Sequence, residues 1–193
     1  MMGLNISKPP AGARAIVSER LGALTTHGAP ASEMLAETSS EQLDLAAPHP
    51  VYFIKLTDVA EGRLLSAAIL TGWRYLVLQG EEAVGAATVA VLENNESLRF
   101  SHMSQGPFVK NTIEGIRHAE ELPEVLENDY ELRMLDIPSL YVVALWLHGQ
   151  EDRIIPLAPT NRALDPYKTY SEDELLSALK EAALNRLEFE EKA

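Results

Sequence analysis

The sequence predicts an α+β fold: one antiparallel sheet of about six to seven strands with helices mainly on one face. The predicted order is β-α-β-β-β-α-β-β-β-α, behind a loosely packed N-terminal arm. Three observations carry this reading. Short runs rich in β-branched and aromatic residues recur between polar turns. Three stretches place apolar residues at helical spacing. And 193 residues, 46% of them apolar, suffice for one well-buried core but not for two ordinary domains.

Residues 1–49 are rich in Ala, Ser, Thr, Pro and Gly and read as the arm; residues 50–193 read as a single α+β domain. Within the arm, Ile16, Val17, Leu21 and Leu24 predict a helix before Gly28, and Met34 with Leu35 a second, shorter one. The first strand is expected over Val51–Leu56, after Pro48-His49-Pro50. Asp58 and Glu61 have the spacing of a capping box. The helix they would start carries Leu64, Leu65, Ala68 and Ile69 on one side, and Gly72 would stop it. Trp73–Gln79, Val84–Leu92 and Leu98–His102 follow as strands, and the short breaks Gly80–Glu82 and Glu93–Glu96 imply two antiparallel hairpins.

Gly106-Pro107 opens a second helix, because proline is tolerated at the first helical position. Val109, Ile113 and Ile116 form its apolar stripe, and Pro123 closes it. Strands return at Tyr130–Ile137, Leu140–His148 and Arg153–Leu157. The middle one is apolar on both faces and is therefore expected to be covered on both. Ser171-Glu-Asp-Glu174 is a capping box, and Leu175, Leu176, Leu179, Ala183 and Leu187 line the final helix.

Composition narrows the function classes. There is no cysteine, so disulfides, thiolate nucleophiles and Cys-based zinc sites are excluded and a reducing compartment fits. A formal charge of −13 argues against nucleic acid, whose binding needs a basic stripe. It also repels anionic membranes. The longest apolar run, Leu140–Leu147, is far short of the roughly 20 residues of a spanning helix, and Lys8, Pro9 and Pro10 interrupt any export signal. The expectation is a cytoplasmic, bacterial-type protein with no membrane partner. No His-Glu-x-x-His and no glycine-rich phosphate loop is present, so neither metal nor cofactor is expected.

The segment Leu145–Pro156, in which His148-Gly149 is followed by two residues, Gln150 and Glu151, and then by Asp152, resembles the acid loop of α/β-hydrolases, which implies Asp152 as the acid that orients a catalytic histidine. That family orders its residues Ser, Asp, His, and no histidine follows Asp152. A rearranged serine-type site would draw on Ser104, His102, His148 and Asp152, with a histidine oriented by the carboxylate and activating the hydroxyl. Around Ser104, however, His102 stands where the G-x-S-x-G elbow requires glycine.

A binding role rests on Trp73, Tyr75, Phe100, Tyr141 and Trp146, all on predicted strands. On an uncovered sheet face they would line a cleft or a dimer surface; otherwise they fill the core. From Asp58 onward the element order is similar to that of type III secretion chaperones, which implies a homodimer wrapping an unfolded client. The leading strand at Val51 and the last one at Arg153 depart from that pattern. The expected function is therefore protein binding, chaperone-like and homodimeric, with another protein or a second copy as partner. A small serine hydrolase and a small-ligand carrier are the alternatives.

Overall fold

The computed structural model describes residues 3–26, 42–92 and 97–192. The short helix expected around Met34 and Leu35, and the break Glu93–Glu96, lie outside the described residues. The fold is mixed α+β, with the strands hydrogen-bonded into one sheet. Strands are β1 (Gly3–Asn5), β2 (Leu43–Phe53), β3 (Ile69–Gln79), β4 (Glu82–Val91), β5 (Leu98–Ser104), β6 (Asp129–Ile137), β7 (Val142–His148) and β8 (Arg153–Pro156). Helices are α1 (Ala13–Thr26), α2 (Leu56–Ala60), α3 (Pro107–Glu120), α4 (Pro123–Glu127) and α5 (Glu172–Glu191). None is long and apolar enough to cross a membrane.

The chain divides into two compact units. The first comprises Met1–Asn5, Val51–Leu70 and Asn111–Ala193, the second Ile6–Pro50 and Thr71–Lys110.

In the first unit β6, β7 and β8 form the expected antiparallel meander, Met134 opposite Leu145 and Leu145 opposite Ile155. The other edge of β6 is parallel, which the hairpin reading did not anticipate. β1 pairs with it at Asp129–Glu131 and the end of β2 at Met134–Asp136. A parallel pair needs a long crossover, and residues 54–128 supply it between β2 and β6.

Strand alternation divides the side chains between two layers. Tyr130, Leu132, Met134, Leu145, Leu147, Ile155 and Leu157 pack with Ala119 of α3 and Val125 of α4. Leu135, Ile137, Val142, Ala144, Trp146 and Ile154 pack with Leu56, Val59 and Ala60 of α2 and Leu175, Leu179 and Ala183 of α5. Helices thus cover both faces here rather than one, because β7 is apolar on both sides and each side must leave water.

The α5 start is as the sequence predicts. Glu174 N–H donates to Ser171 Oγ at 3.2 Å, and Ser171 N–H donates to Glu174 Oε2 at 2.8 Å. The helix expected from Asp58 is much shorter. Asp58 and Glu61 both take up the Arg63 guanidinium instead of capping, and Gly62, at φ +84°, turns the chain left-handed just after α2. A 3-10 turn, Leu65–Ala67, follows, and Ile69 already belongs to β3.

The second unit joins β3, β4 and β5 into the expected antiparallel meander, with Arg74 opposite Thr88 and Thr88 opposite His102. Helix α1 lies on it. Ala13, Val17 and Leu21 bury against Leu45, Trp73, Tyr75, Val77, Val84, Ala87 and Val89, so the Ile16-Val17-Leu21-Leu24 pattern does make a helix. The stretch read as an arm therefore gives this unit a helix and most of a strand. β2 begins at Leu43 rather than Val51 and runs through Pro48-His49-Pro50. A prolyl nitrogen donates nothing to a ladder, and Ala47, at φ +43°, provides the irregularity that lets Pro48 sit within the strand.

Candidate functional site

The four residues of the hydrolase reading fall in both units, Ser104 and His102 in the second and His148 and Asp152 in the first. On β5, in the second unit, the Ser104 hydroxyl donates to the Ala86 carbonyl at 3.4 Å. His102 Nδ1 instead meets the hydroxyl of its neighbour Ser101, at 3.0 Å. Partial burial, and next to it the Arg74 charge, hold the His102 imidazole below its ordinary pKa.

In the first unit, His148 ends β7 and Asp152 precedes β8, and the tight turn between them folds the carboxylate back. Asp152 Oδ1 accepts from His148 Nδ1 at 2.8 Å and from the Gly149 N–H at 3.4 Å. Asp152 thus orients a histidine, but the one within the motif itself; a later histidine is not needed for that step. Among the described residues the His148 imidazole hydrogen-bonds to Asp152 alone, which leaves a carboxylate-oriented histidine, two of the three parts of a nucleophile-activating set.

Beside this pair runs a stack of rings and a guanidinium. Arg133 lies 4.7 Å over the Trp146 ring and 5.3 Å over Tyr52. Its guanidinium donates to Glu131 at 2.9 Å. Tyr52 and His148 meet Trp146 edge-on at 5.0 and 5.5 Å. Trp146 is only 5% exposed, so this stack is internal packing reinforced by cation–π contact. Among the described residues no three His, Asp or Glu side chains converge to hold a metal ion.

Of the five aromatic residues proposed for binding, four are drawn inward. Trp73 and Tyr75 bury beneath α1, Phe100 packs at the margin of that cluster with Arg20 5.7 Å over its ring, and Trp146 belongs to the first unit's core. Trp73, Tyr75 and Phe100 belong to the second unit's cluster and Trp146 to one in the first unit, because strand alternation turns each toward a covering helix.

Tyr141 is different. It follows the 3-10 turn Pro138–Leu140 with φ 55° and ψ 42°, the left-handed region, and the residue is 76% exposed. A groove of about 340 Å³ opens beside it, lined by Ser139, Leu140, Tyr141, Asn161, Arg162, Ala182, Asn185, Arg186 and Phe189. Asn161 fixes one wall, its amide donating to the Leu140 carbonyl at 2.9 Å while its oxygen accepts from the Ala163 N–H at 3.0 Å. Helix α5 supplies the other wall, running past Ala183, its last fully buried residue, so that Phe189 stands 66% exposed.

Sequence reasoning named Tyr141 but missed Phe189, Arg162 and Arg186. One signal was available: Phe189 interrupts the acidic run Glu188–Glu191, an unusual place for a ring with nothing to cover. Comparison of the chain with protein-family models, with curated proteins and with solved structures finds no match.

Proposed function

We propose that this protein acts by binding another polypeptide, and that the groove beside Tyr141 is its contact surface. The observation that carries this reading is the conformation of Tyr141. A non-glycine residue in the left-handed region costs about 1 kcal/mol, and a tyrosine three-quarters exposed recovers little of that by burial. Glycine or asparagine would serve the turn better. Strain held at an exposed aromatic side chain points to a role outside the fold's own stability. A second copy of the chain and a distinct client are both partners of this kind. The acidic charge and the absence of cysteine fit a cytoplasmic setting, and the same charge opposes nucleic acid.

Replacing Tyr141 by glycine separates binding from stability. The variant is expected to melt at the wild-type temperature or slightly above, since the relieved strain offsets the greater freedom of glycine in the unfolded chain. It is also expected to lose the partners, or the dimer, of the wild type, read by affinity capture beside size exclusion with light scattering. A Tyr141→Gly protein that keeps every wild-type partner, or a wild type that is monomeric and captures nothing, rejects the reading.

A further inference from the structure

Resting on that reading, we infer that the groove takes an acidic polypeptide segment, setting an apolar side chain against Tyr141 and Phe189 and carboxylates on Arg162 and Arg186.

The charge contrast supports this. The whole chain carries 29 acidic against 16 basic residues, yet the groove lining holds two arginines and no carboxylate. Arg162 is exposed and has no ion pair among the described residues. Arg186 donates through Nε to Glu190 at 3.1 Å, and its terminal amines have no partner among the described residues. That exposed pair is worth little by itself but holds the guanidinium over the Phe189 ring, 5.9 Å from its centre. A planar guanidinium held at an aromatic face presents its remaining N–H groups in the fork that matches a carboxylate.

The space, about 340 Å³, suits one or two side chains of an extended segment rather than the face of a folded domain. Two arginines do not make the basic stripe that a polyphosphate requires. Glu181, Glu188 and Glu190 on the same helix would repel a long polyanion, whereas a short acidic segment with an apolar anchor meets only the local positive field.

The test uses the ¹⁵N-labelled full chain and three capped synthetic hexapeptides, alternating Glu with Phe, Lys with Phe, and Glu with Ser. The Glu/Phe peptide is expected to shift the amides of Ser139–Tyr141, Arg162 and Asn185–Phe189 saturably, and the other two much less. A double variant, Arg162→Glu with Arg186→Glu, is expected to keep the wild-type spectrum elsewhere and to bind the Glu/Phe peptide about tenfold more weakly. Raising the salt concentration should weaken the wild-type interaction in the same direction.

If the Lys/Phe peptide shifts the same amides equally, or the double variant binds as the wild type does, the acidic assignment is overturned while the groove remains a binding surface. If no peptide perturbs these amides, the acidic assignment is again overturned. The capture experiment on Tyr141→Gly then decides the broader reading independently.

Discussion

Acidification from about pH 7 to about pH 4 is expected to remove roughly 3 kcal/mol of stability through one residue, His49. The imidazole is fully buried in β2. Nδ1 lies 2.7 Å from the Ala47 carbonyl, a contact that requires the proton on Nδ1. Nε2 is then a bare acceptor, buried without a partner among the described residues. Adding a proton there would place a cation in a dry site. Burial first, and then the nearby Arg74 charge, lower the pKa from 6.5 to about 4 against the opposing pull of the Ala47 carbonyl.

The sign follows from which state takes the proton. Above 6.5 the imidazole is neutral in both states and its contribution is fully present. Between 6.5 and about 4 the unfolded chain is protonated and the folded one is not, so stability falls with pH, by about 1.4 kcal/mol per unit. Below about 4 both are protonated and the loss stops growing.

His49→Asn keeps a donor where Nδ1 stands and removes the titration. Urea unfolding of both proteins, followed by Trp73 and Trp146 fluorescence at several pH values, isolates the residue. His102 and the carboxylates are common to both and cancel in the difference. The wild type should lose about 3 kcal/mol more than the variant between pH 7 and 4. Equal losses would mean that His49 is not held neutral in a buried site.

That histidine also shows where the sequence stops being readable. Pro48-His49-Pro50 has the composition of a connector, and nothing local reveals that Ala47 turns left-handed and lets the segment remain in a strand. Where the determining chemistry lies within one turn or one hairpin, the sequence is sufficient. Ser171 and Glu174 cap each other across three positions, and the polar breaks around β4 specify its hairpins. The parallel pairing of β2 with β6 depends on residues about eighty positions apart, and no local pattern records it.

The candidate sites divide in the same way. The turn that brings Asp152 back to His148 spans four residues and could have been inferred from Gly149. Five aromatic residues on strands look alike as a sequence, and only the covering helices decide that Trp73, Tyr75 and Trp146 are core while Tyr141 is not. The groove joins the 138–141 turn, the 161–162 loop and the far end of α5, three segments that only the tertiary fold brings together.

Two glycine-to-alanine substitutions in the second unit should have opposite signs. Gly72 reads in the sequence as a helix stop, but it lies in β3 opposite Ala90, with no positive φ. What it provides is closeness. A Cβ there would overlap the backbone carbonyl oxygen of Val89 and crowd its carbon at 3.3 Å. Val89 follows the register shift between Thr88 and Val89 where β4 meets β5, so its carbonyl belongs to a strand already fixed on both edges. A flexible side chain could swing away from an added methyl, but this oxygen moves only with the strand. The expected cost of Gly72→Ala is therefore near the upper end of overpacking losses, about 3 kcal/mol.

Gly22, in the middle of α1, has nothing among the described residues within 4 Å of where its Cβ would stand, and alanine there should stabilise by about 0.5–1 kcal/mol through helix propensity alone. Urea midpoints of the two variants should lie on opposite sides of the wild type. Gly72→Ala unfolding at the wild-type midpoint would show that β3 and β4 are not packed this closely at Val89, and the role assigned to Gly72 would be lost with it.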